Sequence, residues 1–254
     1  MNNEIILAEM RSFLKHFFLI LLLITEIPGA YAEHGPPTRA LLLAQCAYSG
    51  LEPLEGPAHD AERMLAWLAG TKCEVIMRQD LKAVMLLDAV REAFTGVKAD
   101  DVLLLYYSGH CDGKAFYGVD GGYVTGQELK SVLDALPGTK LIIMDACGSG
   151  ALLDVLSGER YYLALSSQST QASVEREIGG AKHGLFTWFL TMGCGADDPD
   201  AETFPADFDG DGMITLEEAC RFAQIKASGA NPDQCSVVWP AVCDDIILEE
   251  YGNP

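Results

Sequence analysis

The chain has 254 residues, of which 37 are acidic and 17 basic, and its formal net charge at pH 7 is −20. This charge argues against nucleic acid and anionic membrane surfaces as partners, whereas cations such as Ca²⁺ and basic peptides would be attracted. The length is sufficient for one α/β domain with a substantial hydrophobic core.

Residues 1–32 have the pattern of a secretory signal peptide. Basic residues precede an apolar run over 17–24, and Ala30-Tyr31-Ala32 provides a small-residue cleavage site. The run is too short for a transmembrane helix. We therefore expect an exported protein, periplasmic or secreted, whose mature domain covers 33–254 and keeps no membrane span. A retained anchor is the alternative interpretation.

From residue 39 onward, the hydrophobic periodicity alternates between strands and helices. Strands are predicted at 40–46, 73–77, 101–107, 141–146 and 161–165, and helices at 58–69, 81–94, 185–192 and, in shorter form, after Thr125 and from Ser149. A Gly-rich hairpin region, 112–124, precedes the helix that Thr125 caps with Glu128. We interpret 166–183 as a loop and 234–248 as an edge segment. This order predicts a mostly parallel sheet with helices on both faces.

Two of the predicted strands end in reactive side chains. The run 101–107 leads into Ser-Gly-His110, and the run 141–144 leads into Asp-Ala-Cys147 and then Gly-Ser-Gly. Ligands bind at the carboxyl edge of such sheets, so neighbouring strands would make His110 face Cys147. An imidazole beside a thiol favours the nucleophilic thiolate. Singly, each residue is more often structural; the pairing is what favours catalysis.

At these residues the sequence resembles the caspase, metacaspase and paracaspase clan of cysteine peptidases. The matching segments are Tyr-Tyr-Ser-Gly-His110, Asp-Ala-Cys147-Gly-Ser-Gly and His183-Gly-Leu-Phe-Thr, and the likeness extends from about Ala40 to the C-terminus. The resemblance implies a three-layer caspase-like fold and a cysteine endopeptidase without a catalytic metal. In that reaction Cys147 attacks the peptide carbonyl and His110 protonates the leaving amine.

The resemblance also implies which groups hold the oxyanion. These are the backbone N–H groups of Cys147 and Cys111, although Cys111 stands where the family usually has glycine. Gly148 likewise stands where a larger polar residue usually follows the nucleophile. We interpret His183 as a structural residue at the start of the helix that follows it.

Three acids and one hydroxyl resemble the primary specificity pocket of metacaspases and paracaspases. They are Asp60, Asp145 and Glu175, with Ser108 beside them, and Glu175 lies one residue off the family spacing. A carboxylate at a buried strand end requires a partner, and a substrate guanidinium fits Asp145 bidentately. We therefore expect cleavage of protein or peptide substrates after Arg, and also after Lys. The competing interpretation is surface charge or helix capping, which for Asp60 is equally compatible with the sequence.

Residues 207–218 match the twelve-residue EF-hand calcium loop at every ligand position. The expected ligands are Asp207, Asp209 and Asp211, the carbonyl of Met213, Thr215 directly or through water, and a bidentate Glu218. Gly212 permits the sharp turn of the loop. The preceding segment, 196–205, is poor in helix signals, so we expect a half-site whose exiting helix covers 216–226 and whose Ca²⁺ is structural. An acidic turn before a helix is the alternative.

All eight cysteines lie in the part of the chain that would be exported, where disulfides form. Cys235 and Cys243 flank a short segment that a disulfide could close. Cys111 directly follows the presumed base, His110, so we expect it near Cys147, where a Cys111–Cys147 disulfide would switch the enzyme off reversibly.

Two functions remain open at this point. One is a cysteine endopeptidase, and the other is a catalytically silent relative whose calcium-ordered surface binds another protein. The fold alone does not discriminate between them, but the presence of both Cys147 and His110 favours the enzyme.

Overall fold

A computed structural model describes residues 34–243 and 245–251, which belong to one compact unit, Ala32–Pro254. The predicted signal peptide, 1–32, lies outside the described residues. None of the helices in the described ranges combines the length and hydropathy needed to cross a membrane.

Strands and helices alternate along most of the chain. In chain order they are β1 (Arg39–Ala44), α1 (Gly56–Ala69), β2 (Glu74–Gln79), α2 (Ala83–Ala93), β3 (Val102–Ser108), β4 (Ala115–Tyr117), β5 (Tyr123–Thr125), α3 (Gly126–Leu133), β6 (Thr139–Asp145), a 3₁₀ turn (Ser149–Leu152), α4 (Leu153–Leu156), β7 (Tyr161–Leu165), β8 (Glu175–Ile178), β9 (Ala181–Gly184), α5 (Leu185–Gly193), β10 (Met213–Thr215), α6 (Leu216–Ala230), β11 (Val237–Trp239) and β12 (Ile247–Glu250).

A six-stranded sheet has the order β11-β7-β6-β3-β1-β2. Its strands are parallel except for β11, which pairs antiparallel with β7 at one edge. The predicted fold class, a mostly parallel sheet with helices on both faces, is therefore confirmed. The edge position of the tail is also as predicted for β11.

The sheet is buried on both faces, which explains why its strands are continuously apolar. Successive side chains point to opposite faces: Leu42 and Leu104 pack with α1, α5 and α6. Leu41 and Leu103 pack in a second cluster with α2, α3 and α4. Because the hydrophobic cores hold the strands rigidly from both faces, the loops at the carboxyl edge start from fixed positions.

Two local predictions have different outcomes. Thr125 caps α3 in a reciprocal capping box with Glu128, as its sequence pattern predicts. The stretch 166–183, predicted as a loop, contains the β8–β9 hairpin in its second half. Gly179 and Gly180 both have positive φ, 64° and 90°, and so form the two-residue turn that such a hairpin needs. The polar strands lack the apolar alternation that would have revealed them.

The predicted disulfides are not formed in this structure. Cys111, Cys147 and Cys235 are free thiols, so neither the Cys235–Cys243 loop closure nor the Cys111–Cys147 bridge is present.

Candidate active site

The register of β3 and β6 brings His110 and Cys147 to one place. Ser108 pairs with Asp145 across the two parallel strands, and the histidine and the cysteine each follow two residues later. Both line a cleft of about 90 Å³ at the carboxyl edge of the sheet. Cys147 is exposed to solvent, as a thiol that attacks an external molecule must be.

Main-chain and aromatic groups hold the His110 ring. Its Nε2 lies 2.8 Å from the carbonyl oxygen of Glu52, and the ring lies 4.6 Å from that of Tyr48, centroid to centroid. The backbone N–H of His110 donates to the Tyr48 hydroxyl at 2.8 Å. Because a carbonyl only accepts, Nε2 carries the proton in the neutral ring, and Nδ1 is left as the nitrogen that accepts one.

Cys147 leaves the sheet through a tight turn. Gly148 has φ 65°, and a Cβ there would lie 3.2 Å from the carbonyl oxygen of Ser169 and 3.3 Å from Gly113. Both the left-handed backbone and the close approach require glycine. The larger residue usual in the family would not fit this turn. The Cys147 Sγ points to the carbonyl oxygen of Ser173 at 3.7 Å.

Cys111 is buried, and it is not among the residues that line the cleft. Cys111 forms an isolated antiparallel bridge with Phe116. The hydrogen bonds of this bridge are donated by the N–H groups of Tyr117 and Asp112 to the carbonyls of His110 and Ala115. Within the described ranges, the Cys111 N–H donates to no acceptor. Its φ is not positive, so glycine is not needed at this position. The thiol is buried and accepts the Gly113 N–H at 3.3 Å. Burial raises the pKa of Cys111 to about 11, which disfavours the thiolate that disulfide exchange requires.

The predicted pocket acids all line this same cleft. Asp60, Asp145 and Glu175 converge there with Ser108, although they come from α1, β6, β8 and β3. Asp60 accepts two contacts from the Gly184 N–H, at 3.0 and 3.1 Å, and one from Ser108 Oγ at 3.3 Å. The structure thus joins residues that are far apart in sequence.

Asp145 is held by two residues, Thr187 and Ser173, to which the sequence analysis assigned no role. Thr187 donates to its Oδ2 from the backbone at 3.0 Å and from Oγ1 at 2.8 Å. Ser173 Oγ donates to Oδ1 at 2.5 Å. Thr187 lies in the His-Gly-Leu-Phe-Thr segment and so had a signal, whereas Ser173 lies in the polar loop and had none.

The carboxylates in this cleft are affected by burial and by one another. Burial, and then the charge of Asp145, raise the pKa of Asp60 well above its ordinary value. Burial likewise raises the pKa of Glu175. Among the described residues that line the cleft, none is Lys or Arg. A positively charged group that enters the cleft from solvent would therefore stabilise the ionised carboxylates.

His183 lies behind the pocket. Its Nδ1 is 3.4 Å from Asp60 Oδ1, and its ring packs against Trp188 with centroids 4.7 Å apart. Burial, aided by the charge of Arg63, lowers the pKa of His183 to about 4. A neutral, buried histidine just before α5 agrees with the structural role predicted for it.

The loop 207–218 brings oxygen atoms together in a second place. One carboxylate oxygen from each of Asp207, Asp209 and Asp211 lies within 4.8 Å of the others, and Gly212 has φ 83°. Glu218 caps α6 and also accepts the Phe208 N–H at 3.0 Å. This all-oxygen set fits the preference of Ca²⁺. In the described chain no helix lies between α5 and β10, and the predicted exiting helix extends to Ala230.

A Cys-His pair at neighbouring parallel strand ends, above an acidic pocket, defines a caspase-like α/β protein. The model of the caspase domain matches residues 37–204, about two thirds of the chain. The chain therefore belongs to the caspase-domain family of cysteine peptidases. The loop 207–218 and everything after it lie beyond the matched residues.

Comparison with solved structures supports the fold. Protein GSU0716 from Geobacter sulfurreducens is similar, with a TM-score of 0.58 and 17% identity over 85% of this chain and 100% of that one. At this identity the likeness concerns the fold alone. No curated protein matches the chain.

Proposed function

We propose that this protein is a cysteine endopeptidase that cleaves peptide bonds after Arg and, less efficiently, after Lys. The observation that carries the proposal is that one cleft is lined both by Cys147 and His110 and by three carboxylates, with no Lys or Arg among its described lining residues. A substrate whose basic side chain contacts these carboxylates would place its own carbonyl carbon beside the thiol.

The chemistry follows from the orientation of His110. Its Nε2–H is fixed by the Glu52 carbonyl, so Nδ1 takes the proton of the Cys147 thiol as the sulfur attacks the carbonyl carbon. The backbone N–H groups of Cys147 and Cys111 stabilise the negative oxygen. His110 then returns the proton to the leaving amine, and water hydrolyses the thioester that remains.

The pocket favours guanidinium over ammonium. Asp145 lies at the end of β6, and Asp60 and Glu175 approach the same space from α1 and β8. A guanidinium presents five N–H donors in a plane, which suits several carboxylates at once, whereas an ammonium offers three donors from a point. The same three carboxylates repel an acidic side chain, so cleavage after Asp is not expected.

Fluorogenic peptides that differ only in the residue before the scissile bond test the proposal. We expect the order Arg, then Lys, with no cleavage after Asp or Gln, and Cys147→Ala as an inactive control. Preference for the Asp peptide would overturn the pocket, and activity in Cys147→Ala would overturn the mechanism. If the wild type cleaves nothing, the chain is instead a silent caspase-like binding module.

We also propose that 207–218 binds Ca²⁺ as a structural ion. The proposal is supported by the three convergent carboxylates and by Glu218, which adds a fourth acid to the loop. Ca²⁺ would offset their mutual repulsion and join the loop to α6.

Thermal unfolding in chelator and in millimolar Ca²⁺ tests this site. We expect a higher Tm with Ca²⁺, and a much smaller increase in Glu218→Gln, which keeps the capping box. Glu217→Gln, which removes the neighbouring charge of α6, is the matched control and should respond like the wild type. Identical Tm values for the wild type in both buffers would exclude the site.

The sequence pattern of 1–32 supports a further proposal, export with removal of this segment. N-terminal sequencing of the protein from the periplasm or medium should then begin at Glu33. Protein that begins at Met1 in the cytoplasm would contradict it.

A further inference from the structure

A glutamine near the C-terminus reaches the active-site cleft. Gln234 lies between α6 and β11, and its side chain is 1% exposed. The side-chain Nε2 donates to the Ser166 carbonyl and to Ser173 Oγ, both at 3.1 Å. The side-chain Oε1 accepts the Val174 N–H at 3.0 Å. Because a carbonyl only accepts and an N–H only donates, the orientation of this amide is fixed.

The partners of Gln234 form one wall of the cleft. Ser173 and Val174 both line it, and they belong to the loop that leads into β8. Ser173 Oγ in turn donates a hydrogen bond to Asp145, and the carbonyl oxygen of Ser173 faces the Cys147 thiol. Gln234 therefore donates directly to Ser173, the residue that contacts both Asp145 and Cys147.

Helix α6 holds Gln234 in place. Gln224 on this helix accepts the Ser236 N–H at 2.5 Å and the Ser236 hydroxyl at 2.6 Å through its Oε1. On the other side, the Cys235 N–H donates to Gln171 Oε1 at 3.0 Å. The segment around Gln234 is therefore clamped between a helix and the cleft loop. Because this segment is already fixed, Gln234 loses little further conformational entropy when its side chain makes these hydrogen bonds.

We propose that Gln234 is a positioning residue for the primary pocket, and this inference rests on the proposed peptidase function. It fixes Ser173 and Val174 so that Asp145 presents its carboxylate to the basic side chain of the substrate. An amide suits this task because it supplies both a donor and an acceptor without charge. A carboxylate there would add a fourth negative group beside Asp60, Asp145 and Glu175 and would lose the donor that Ser166 requires.

The first test is the steady-state kinetics of Gln234→Met with an Arg peptide. Methionine keeps the shape of the side chain but removes its hydrogen bonds. Loss of the hydrogen bonds to Ser173 and Val174, the two partners that line the cleft, should raise KM about tenfold, with kcat changed much less.

Two further variants separate positioning from a general loss of stability. Thr139→Ala removes a buried hydroxyl at the opposite, amino end of β6 and should lower Tm without raising KM. Ser173→Ala should raise KM as Gln234→Met does, and the double variant should be no worse than either single variant, because both break the same chain of contacts.

The outcomes distinguish this inference from the proposed function. If the wild type cleaves Arg peptides and Gln234→Met keeps the wild-type KM, the positioning role is wrong and the peptidase stands. If the wild type does not cleave, calorimetry with an Arg peptide decides: weaker binding to Gln234→Met supports the role, and equal affinity overturns it. Absence of binding to both would overturn the pocket and the inference together.

Discussion

The cleft and the loop 207–218 both concentrate carboxylates, but they do so in different ways. The cleft draws Asp60, Asp145 and Glu175 from separate elements, and it buries the first two and half-buries the third. The loop carries its acids in one short, mostly exposed segment. Burial raises the pKa of Asp60. At Asp207, burial also acts to raise the pKa, but hydrogen bonds from Tyr251 and from loop N–H groups outweigh it, and the pKa is lowered.

The difference teaches which kind of cation each place suits. An exposed loop whose own backbone stabilises the charged form stays ionised and suits a small hydrated ion. A buried cleft holds charge poorly until a partner enters, and so it discriminates among partners by shape and hydrogen bonding. The predictions below test whether the two regions behave independently in this way.

The largest effect is expected at the bottom of the cleft. Asp145→Ala should lower kcat/KM for Arg peptides about a hundredfold, since truncating one partner of a buried, hydrogen-bonded charge pair costs about 2–5 kcal/mol. Asp154→Ala, which removes an exposed acid from α4, is the control and should keep the wild-type value. Equal activities of the two variants would show that Asp145 does not bind the substrate side chain.

Replacing Asp60 by a neutral residue should increase the stability of the protein but weaken its binding of Arg peptides. The folded-state pKa of Asp60 is raised by burial, so the folded protein favours the protonated form. The resulting penalty on stability is absent below the unfolded pKa and is complete once pH exceeds the folded pKa. Asp60→Asn should therefore stabilise the protein, and it should do so more at pH 8 than at pH 4.

The measurement is urea-induced unfolding at the two pH values. Arg peptides should bind this variant more weakly, because the pocket loses a carboxylate. For the wild type, kcat/KM for Arg peptides should fall as pH decreases through the raised pKa of Asp60. A variant that is less stable than the wild type at pH 8 would contradict this account of the buried acid.

Calcium should have a smaller effect on specificity than on stability. Chelation should lower Tm, whereas the ratio of kcat/KM values for Arg and Lys peptides should change less than about twofold, because none of the proposed calcium ligands lines the cleft. A ratio that shifts tenfold on chelation would mean that the two regions are coupled.

The smallest effect is expected at Cys111. The proposed role of Cys111 uses only its backbone N–H, and its φ is not positive, so Cys111→Gly should change kcat by less than about threefold. Loss of the buried side chain and the added backbone freedom should lower stability by about 1 kcal/mol, measurable by urea unfolding. A large fall in kcat with unchanged stability would show that the thiol itself takes part.

Short-range patterns were sufficient for much of this protein. The apolar runs of β3 and β6 identify buried strands, and the residues that follow them identify His110 and Cys147. The capping box at Thr125 is equally local, and so is the acidic spacing of 207–218 on which the proposed calcium site rests. Each of these features depends on residues within about one element, so periodicity and spacing record it directly.

Tertiary structure alone decided what surrounds these residues. The carbonyl of Glu52 selects the tautomer of His110, Ser173 orients Asp145, and Gln234 fixes Ser173. These partners are polar residues in loops, where no hydrophobic period predicts a position. The order of the strands and the packing of helices on both faces of the sheet bring these loops together from distant parts of the chain.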